Sequence, residues 1–185
     1  MKHNFVGYHG TIKEYADNII AEDSFHISTK SNEWLGKGIY FFVDKNSAKW
    51  WADMAQRKAK RNCSFNGDDT PKILSVIIIY CDNQYFDLDI KDNLEQVSQG
   101  AQAFFELLKS QKMGIPKFKD SFQYASFAMD LFIEKHPEIK VVSKTFLDRR
   151  SEIYFDGYMS MQKQVCAIDN SVISNIQIEG GSNGS

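Results

Sequence analysis

The sequence contains little cysteine and no cysteine pattern that is typical of a metal site. Cys63, Cys81 and Cys166 are widely spaced, without a CxxC pair or a neighbouring pair of histidines. Isolated thiols in odd number argue against both a zinc site and a disulfide framework. We therefore predict no metal and a cytoplasmic location, where free thiols stay reduced.

Long apolar runs and a large net charge are missing too. The most apolar run, residues 73–80, suits a buried strand and is too short to span a membrane. The first residues lack the apolar stretch of a signal peptide. The formal net charge of -2 gives no overall attraction for nucleic acid or an anionic membrane, so we expect no membrane partner. Two basic clusters are interpreted as solvated faces: Lys58, Lys60 and Arg61, and Lys144, Arg149 and Arg150.

Apolar and aromatic residues are abundant. They make up 43% and 14% of the 185 residues, which predicts a packed globule rather than a disordered chain. The length favours a single domain. We assign residues 1–179 to this domain, and residues 180–185, which are rich in Gly and Ser, to a flexible tail or cloning remnant.

The order of apolar patterns predicts an α+β fold, with helices early and in the middle and strands at both ends. Thr11 and Glu14 form a predicted capping box for the first helix, and Asn46 or Ser47 is the predicted cap of the second. The predicted strands are 5–9, 39–42, 73–80, 85–88, 141–146, 152–155, 164–168 and 173–178, and the predicted helices are 12–21, 46–61, 92–110 and 121–135.

Two short motifs carry a resemblance to a known family. Residues 8–11 read Tyr-His-Gly-Thr, and residues 35–41 read Leu-Gly-Lys-Gly-Ile-Tyr-Phe. In this order they resemble the motifs of the poly(ADP-ribose) polymerase type of ADP-ribosyltransferase, the class with a catalytic His, Tyr and Glu. Residues 47–50, Ser-Ala-Lys-Trp, are similar to a third family segment but lie one residue closer to Tyr40 than usual. The resemblance implies a split, mostly antiparallel sheet with flanking helices. The helical region at about 91–136 matches nothing in the family, and we interpret it as an insertion that covers one face of the sheet.

The same resemblance implies that NAD is the substrate. Tyr40 and Trp50 would cover the two faces of the nicotinamide ring, and the Gly10 backbone would approach its amide because no Cβ intervenes. His9 would hold a ribose hydroxyl as a neutral group. The implied cofactor-binding residues are His9, Gly10, Thr11, Gly38, Tyr40, Ser47 and Trp50. Taken singly, each of these residues also has an ordinary structural interpretation, and only their combination is specific.

The third catalytic motif departs from the family. The best match for the strand of the catalytic Glu is 164–168, which gives His9, Tyr40 and Gln164 as the catalytic set. A neutral Gln can bind a ribose hydroxyl but lacks the charge that stabilises an oxocarbenium-like transition state. Polymer elongation is therefore not expected, and Gln164 is either the natural residue or an inactivating replacement. Glu152 could enter the cleft from a nearby strand, but the run Arg150-Ser151-Glu152 alternates between faces and cannot converge on one ligand.

The resemblance, together with the neutral Gln164, implies a mono-ADP-ribosyltransferase that releases nicotinamide, similar to bacterial or phage intracellular toxins and defence effectors. Its expected partners are NAD, a protein or single-stranded nucleic-acid acceptor, and an antitoxin or other regulatory protein. Two alternatives remain open at this point. One is an NAD glycohydrolase that uses water as the acceptor, and the other is a non-catalytic module that binds NAD or ADP-ribose.

Overall fold

A computed structural model of the chain describes residues 1–30, 33–147 and 161–180. Its strands form one seven-stranded sheet in the order β4-β5-β6-β2-β1-β3-β7, in which every pair is antiparallel except β4 and β5. The elements are β1 (Lys2–Ile12), α1 (Lys13–Glu22), β2 (Ile39–Phe42), α2 (Lys45–Arg61), β3 (Pro71–Cys81), η1 (Asp82–Gln84), β4 (Tyr85–Asp87), α3 (Lys91–Ser110), α4 (Ser121–Lys135), β5 (Val141–Leu147), β6 (Met161–Ala167), η2 (Asn170–Val172) and β7 (Ile173–Ile178). The prediction of a mixed fold built on a mostly antiparallel sheet is confirmed.

Each face of the sheet has its own hydrophobic core. On the inner face, Phe41 and Val165 pack with Ile19 of α1 and with residues of β3 and β7. On the outer face, Cys166 and Val142 pack beneath α3 and α4. Successive strand residues point to opposite faces, so neighbours such as Val165 and Cys166 belong to different cores.

The sheet curls around the inner core. Tyr80 near the end of β3 and Tyr85 at the start of β4 stack with their ring centroids 4.7 Å apart. These two strands are joined by the short turn η1, yet β4 pairs with β5 at the opposite side of the sheet from β3. The stacked tyrosines therefore bring together two distant parts of the strand order, and the inner face becomes concave.

Both predicted helix caps are wrong. Thr11 lies inside β1, and the residue before α1 is Ile12, which makes no side-chain cap. The strand continues because Thr11 pairs with Lys72 of β3. The first helical N–H groups are satisfied instead by backbone carbonyls of a neighbouring loop, since Lys13 N donates to Thr70 O at 2.8 Å.

The second helix begins earlier than predicted. Its cap is Asp44 rather than Asn46 or Ser47, and the Asp44 carboxylate accepts from the Ser47 N–H at 2.7 Å. Ser47 itself is buried in the first turn of α2.

Other predictions agree with the fold or lie outside its described part. The middle helices are confirmed, and they cover the outer face of the sheet at β4, β5 and β6. β1 and β6 are both longer than predicted because each is held by a partner strand over its whole length. The predicted strand 152–155 falls outside the described residues. Within the described ranges, no helix has the length and apolarity needed to cross a membrane.

Candidate functional site

Three adjacent strands carry the predicted catalytic residues. His9 is on β1, Tyr40 on the neighbouring β2, and Gln164 on β6, which is the next strand in the sheet. Tyr40 pairs with Cys166 and Phe42 pairs with Gln164. Tyr40 and Gln164 are therefore diagonal neighbours on the outer face, a relation that typically separates Cα atoms by about 7–8 Å.

β1 and β2 separate next to Gly10. Their only registered pair is Tyr8 with Phe42, so Gly10 and Tyr40, the next positions in line, are not joined. On the other side of β1, Gly10 faces Ile73, whose carbonyl accepts from Glu179 N at 2.8 Å. The Ile73 carbonyl therefore points away from β1. In an antiparallel pair, both residues direct their backbone groups either toward each other or away from each other, so Gly10 directs its N–H and C=O away from β3 and into the separation.

The missing Cβ of Gly10 has a different use from the one predicted. A Cβ at this position would overlap the Ala48 carbonyl oxygen and lie 2.7 Å from Ala52 N. Helix α2 thus occupies the space above Gly10, and glycine is required for that helix to pack. The space at the Cβ position is therefore filled by α2, whereas the in-plane N–H and C=O of Gly10 face the strand separation.

The Tyr40 side chain is fixed by two hydrogen bonds to the turn that precedes β2. Its hydroxyl donates to Gly36 O at 2.9 Å and accepts from Leu35 N at 2.9 Å. Burial raises the pKa of the Tyr40 hydroxyl, so it stays protonated and keeps this double role. Gly36 adopts a φ of 86°, which an L side chain would strain. The Gly-Lys-Gly turn therefore positions the Tyr40 ring.

His9 lies on the inner face, opposite to the Tyr40 ring. Its ring makes edge contacts with Phe25 and Phe41, at centroid distances of 5.2 Å and 5.9 Å. His9 Nδ1 is 2.8 Å from Tyr40 O, and since a carbonyl only accepts, Nδ1 must carry the proton. Burial lowers the pKa of His9, so the ring is neutral near pH 7 and its Nε2 is an acceptor.

The lowered pKa of His9 makes stability depend on pH in a defined direction. In the unfolded chain its pKa returns to about 6.5, so below that pH the unfolded state binds more protons than the folded state. We expect the free energy of unfolding to fall as the pH drops from 7 to 5, and to fall less in His9→Gln. Urea unfolding at several pH values measures both slopes. The burial argument fails if the two proteins show the same slope.

The Gln164 side chain lies on the outer face, beside the strand separation. Only 9% of the residue is exposed, and every fully buried side-chain nitrogen or oxygen of the described residues has a hydrogen-bond partner. A carboxamide offers both a donor and an acceptor, so this side chain is of the right type to bind a ribose hydroxyl. Lys144, the β5 residue that pairs with Gln164, binds Leu88 O at 3.1 Å.

Trp51 was missed by sequence reasoning. Its ring stacks on Phe42 at 6.2 Å and 29°, above the strand pair that carries Gln164, and it is 46% exposed. Trp50, the predicted ring partner, is 36% exposed and contacts Trp51 edge-on at 5.5 Å. The available signal was the spacing of the Ser-Ala-Lys-Trp segment, which lies one residue closer to Tyr40 than in the family that the sequence resembles. Trp51, one residue later than Trp50, lies at the distance from Tyr40 that is usual in that family.

The remaining predicted residues have clear positions. Thr11 is buried on the inner face, away from the Tyr40 ring. Gly38 lets β6 approach, since a Cβ there would lie 2.6 Å from Ala167 O and overlap the Cys166 sulfur. Glu152 lies outside the described residues.

Two cavities lie away from these residues. One of about 370 Å³ lies between α3 and α4, next to Phe132 and His136. The other, of about 350 Å³, lies at the end of β3 beside Tyr80 and Ile173. Neither is lined by His9, Tyr40 or Gln164.

The fold and its site define a mixed α/β protein with a curled, mostly antiparallel sheet that separates at Gly10. No protein-family model matches the chain, and neither the curated proteins nor the solved structures contain a match.

Proposed function

We propose that this protein is a mono-ADP-ribosyltransferase that uses NAD. The observation that carries the proposal is the set of polar groups near Tyr40: the backbone N–H and C=O of Gly10, directed into the strand separation, and the carboxamide of the largely buried Gln164. Nicotinamide needs an aromatic surface and a donor–acceptor pair for its amide. Tyr40 and Gly10 are groups of these two types.

NAD would pass across the separation between β1 and β2. The nicotinamide end would lie on the outer face beside Tyr40, beneath Trp50 or Trp51. A ribose hydroxyl nearer the adenine would donate to Nε2 of His9 on the inner face, because the neutral ring offers an acceptor there. Holding both ends of the molecule orients the glycosidic bond between them for cleavage.

The reaction breaks the bond between C1′ of the nicotinamide ribose and the ring nitrogen. Its electron pair leaves with nicotinamide, and an N, O or S atom of the acceptor forms the new bond to C1′ and loses a proton. The Gln164 carboxamide would bind the 2′-hydroxyl of that ribose. Since it carries no charge, it stabilises the developing positive charge less than a carboxylate would. Transfer of a single ADP-ribose fits this arrangement better than elongation, in keeping with an intracellular toxin or defence effector.

Adenine-labelled NAD tests the reaction directly. The purified protein is incubated with the label and a cell lysate, followed by separate protease and nuclease digestion. We expect nicotinamide release in excess of the protein, with label attached to a macromolecule. Label found only as free ADP-ribose would identify an NAD glycohydrolase. The absence of turnover would leave a binding module, an alternative that the neutral Gln164 favours.

Two substitutions at Tyr40 separate its ring from its hydroxyl. Tyr40→Phe keeps the ring face and should keep NAD consumption, while losing the bonds to Leu35 N and Gly36 O. Tyr40→Ala also removes the ring and should weaken NAD binding by about 1–3 kcal/mol, by analogy with stacking on bases. Calorimetric binding and nicotinamide release measure both variants.

The exposed Tyr15→Ala on α1 serves as the control, and thermal unfolding separates loss of binding from loss of folding. Normal NAD consumption by a folded Tyr40→Ala protein would refute the assignment of the site.

A further inference from the structure

The surface next to Tyr40 carries a cluster of stacked aromatic side chains. Trp34 stacks on Phe122 at 4.7 Å and 18°, and it contacts Phe146 edge-on at 4.8 Å. Phe122 is 47% exposed, in the first turn of α4. We call Trp34, Phe122 and Phe146 the aromatic cluster. Phe122 thus leaves nearly half of its surface accessible, although Phe side chains are usually buried.

The aromatic cluster adjoins the candidate site through two short connections. Trp34 directly precedes Leu35, whose N–H binds the Tyr40 hydroxyl at 2.9 Å. Phe146 pairs with Gln162 on β6, two residues before Gln164 on the same face of the sheet. A molecule stacked on the cluster would thus reach toward the place where the glycosidic bond of NAD would be cleaved.

A run of lysines leads up to the aromatic cluster. Residues 109–119, which comprise the end of α3 and most of its connection to α4, contain four lysines and no acidic residue. Lys109 pairs with Glu106 at 2.6 Å. Lys112, Lys117 and Lys119 are exposed, and no carboxylate of the described residues forms an ion pair with them. We call these three residues the lysine segment.

The end of the lysine segment at Lys119 is held beside the cluster. Phe118 inserts between α3 and α4, with its ring 5.3 Å from Phe127 and 6.2 Å from Phe105. Lys119 N donates to the Gln123 side chain at 2.8 Å, which ties the segment to the same turn of α4 that carries Phe122. Positive charge and an exposed ring are therefore fixed within a few residues of each other.

We propose that the aromatic cluster and the lysine segment together form the acceptor site for single-stranded nucleic acid. Unpaired bases stack on aromatic side chains, while lysines bind the neighbouring phosphates. A base within a duplex is already stacked on both faces and cannot use the cluster. The net charge of -2 gives the whole protein no such attraction, so binding depends on this local surface. The role of this surface as an acceptor site rests on the proposed ADP-ribosyl transfer, but the binding of a single strand does not depend on that reaction.

Binding is tested on the full chain without NAD. Fluorescence anisotropy is measured with labelled probes of about 12 nucleotides: single-stranded RNA, single-stranded DNA and duplex RNA. The protein should prefer the single strands to the duplex. Comparison of the RNA strand with the DNA strand then shows whether ribose or deoxyribose is preferred. Lys117→Glu combined with Lys119→Glu should weaken binding roughly ten-fold or more. It should also make the negative slope of log affinity against log salt shallower by about 1.4. Phe122→Ala should weaken binding by about 5- to 150-fold.

A matched control reverses two charges elsewhere. Lys58→Glu combined with Lys60→Glu changes the exposed C-terminal part of α2, over β1 and β3, and should leave oligonucleotide binding unchanged. Duplex preference, no binding by the wild type, or equal losses in both double variants would overturn the proposal.

Nicotinamide release into water should be the same in wild type and in Lys117→Glu with Lys119→Glu. A protein that consumes NAD but binds no single strand refutes the acceptor site alone. A protein that binds a single strand but consumes no NAD refutes the proposed enzyme alone. With both activities present, label transferred from NAD should be removed by nuclease, and label removed only by protease would contradict nucleic acid as the acceptor.

Discussion

Gln164→Glu should raise the rate of nicotinamide release by about 10²–10³-fold, the scale associated with one group that stabilises a transition state. The added carboxylate would face the developing positive charge of the ribose. Gln164→Ala should lower the rate below that of the wild type because it removes the hydrogen bond to the 2′-hydroxyl. Nicotinamide release under saturating NAD, measured for all three proteins, gives the comparison.

The gain in Gln164→Glu should depend on pH. Only 9% of Gln164 is exposed, and burial raises the pKa of a carboxyl group by disfavouring its charged form. The rate advantage of Glu should therefore increase as the pH rises and the carboxyl ionises. Equal rates for Gln, Glu and Ala across the pH range would mean that residue 164 does not contact the reacting ribose.

Gly10→Ala should destabilise the protein by about 3 kcal/mol or more, and lower the melting temperature by roughly 6–12 °C. The new Cβ would overlap the Ala48 carbonyl and lie 2.7 Å from Ala52 N, both in the backbone of α2. A helix backbone cannot yield as a flexible side chain does, so α2 must shift away from the sheet. Trp50 and Trp51 would move with it, and NAD consumption should fall as well.

Gly100→Ala provides the matched control for this substitution. Gly100 lies within α3, and a Cβ there has nothing within 4 Å. Alanine also favours the helix, so this change should stabilise the protein by about 0.4–1 kcal/mol. Differential scanning calorimetry of both variants distinguishes them, and similar melting temperatures would contradict the packing of α2 on Gly10.

Much of the fold could be predicted because it depends on local patterns. The β-branched run of β3 and the helical periodicity of α3 and α4 identify these elements from the sequence. The capping box at Thr11 is wrong for a non-local reason. Pairing with Lys72 keeps Thr11 in β1, and a loop carbonyl satisfies the helix instead. No pattern within residues 11–14 contains that information.

The candidate site could be predicted as a set of residues but not as an arrangement. Strand alternation puts His9 and Gly10 on opposite faces, yet which of them shares a face with Tyr40 depends on the register of Tyr8 with Phe42. Likewise, position 10 requires glycine because α2, which follows later in the chain, packs directly against it. The choice between Trp50 and Trp51 also needed the orientation of α2.

The pairing of β2 has a consequence for newly made chains. This strand has only four residues and one registered partner on β1, whereas all four of its positions pair with β6. Tyr40 and Gln164 therefore cannot come together until residues 161–167 have left the ribosome and docked. A nascent chain therefore carries an incomplete candidate site until β6 has emerged and paired with β2, even where the earlier strands have already folded.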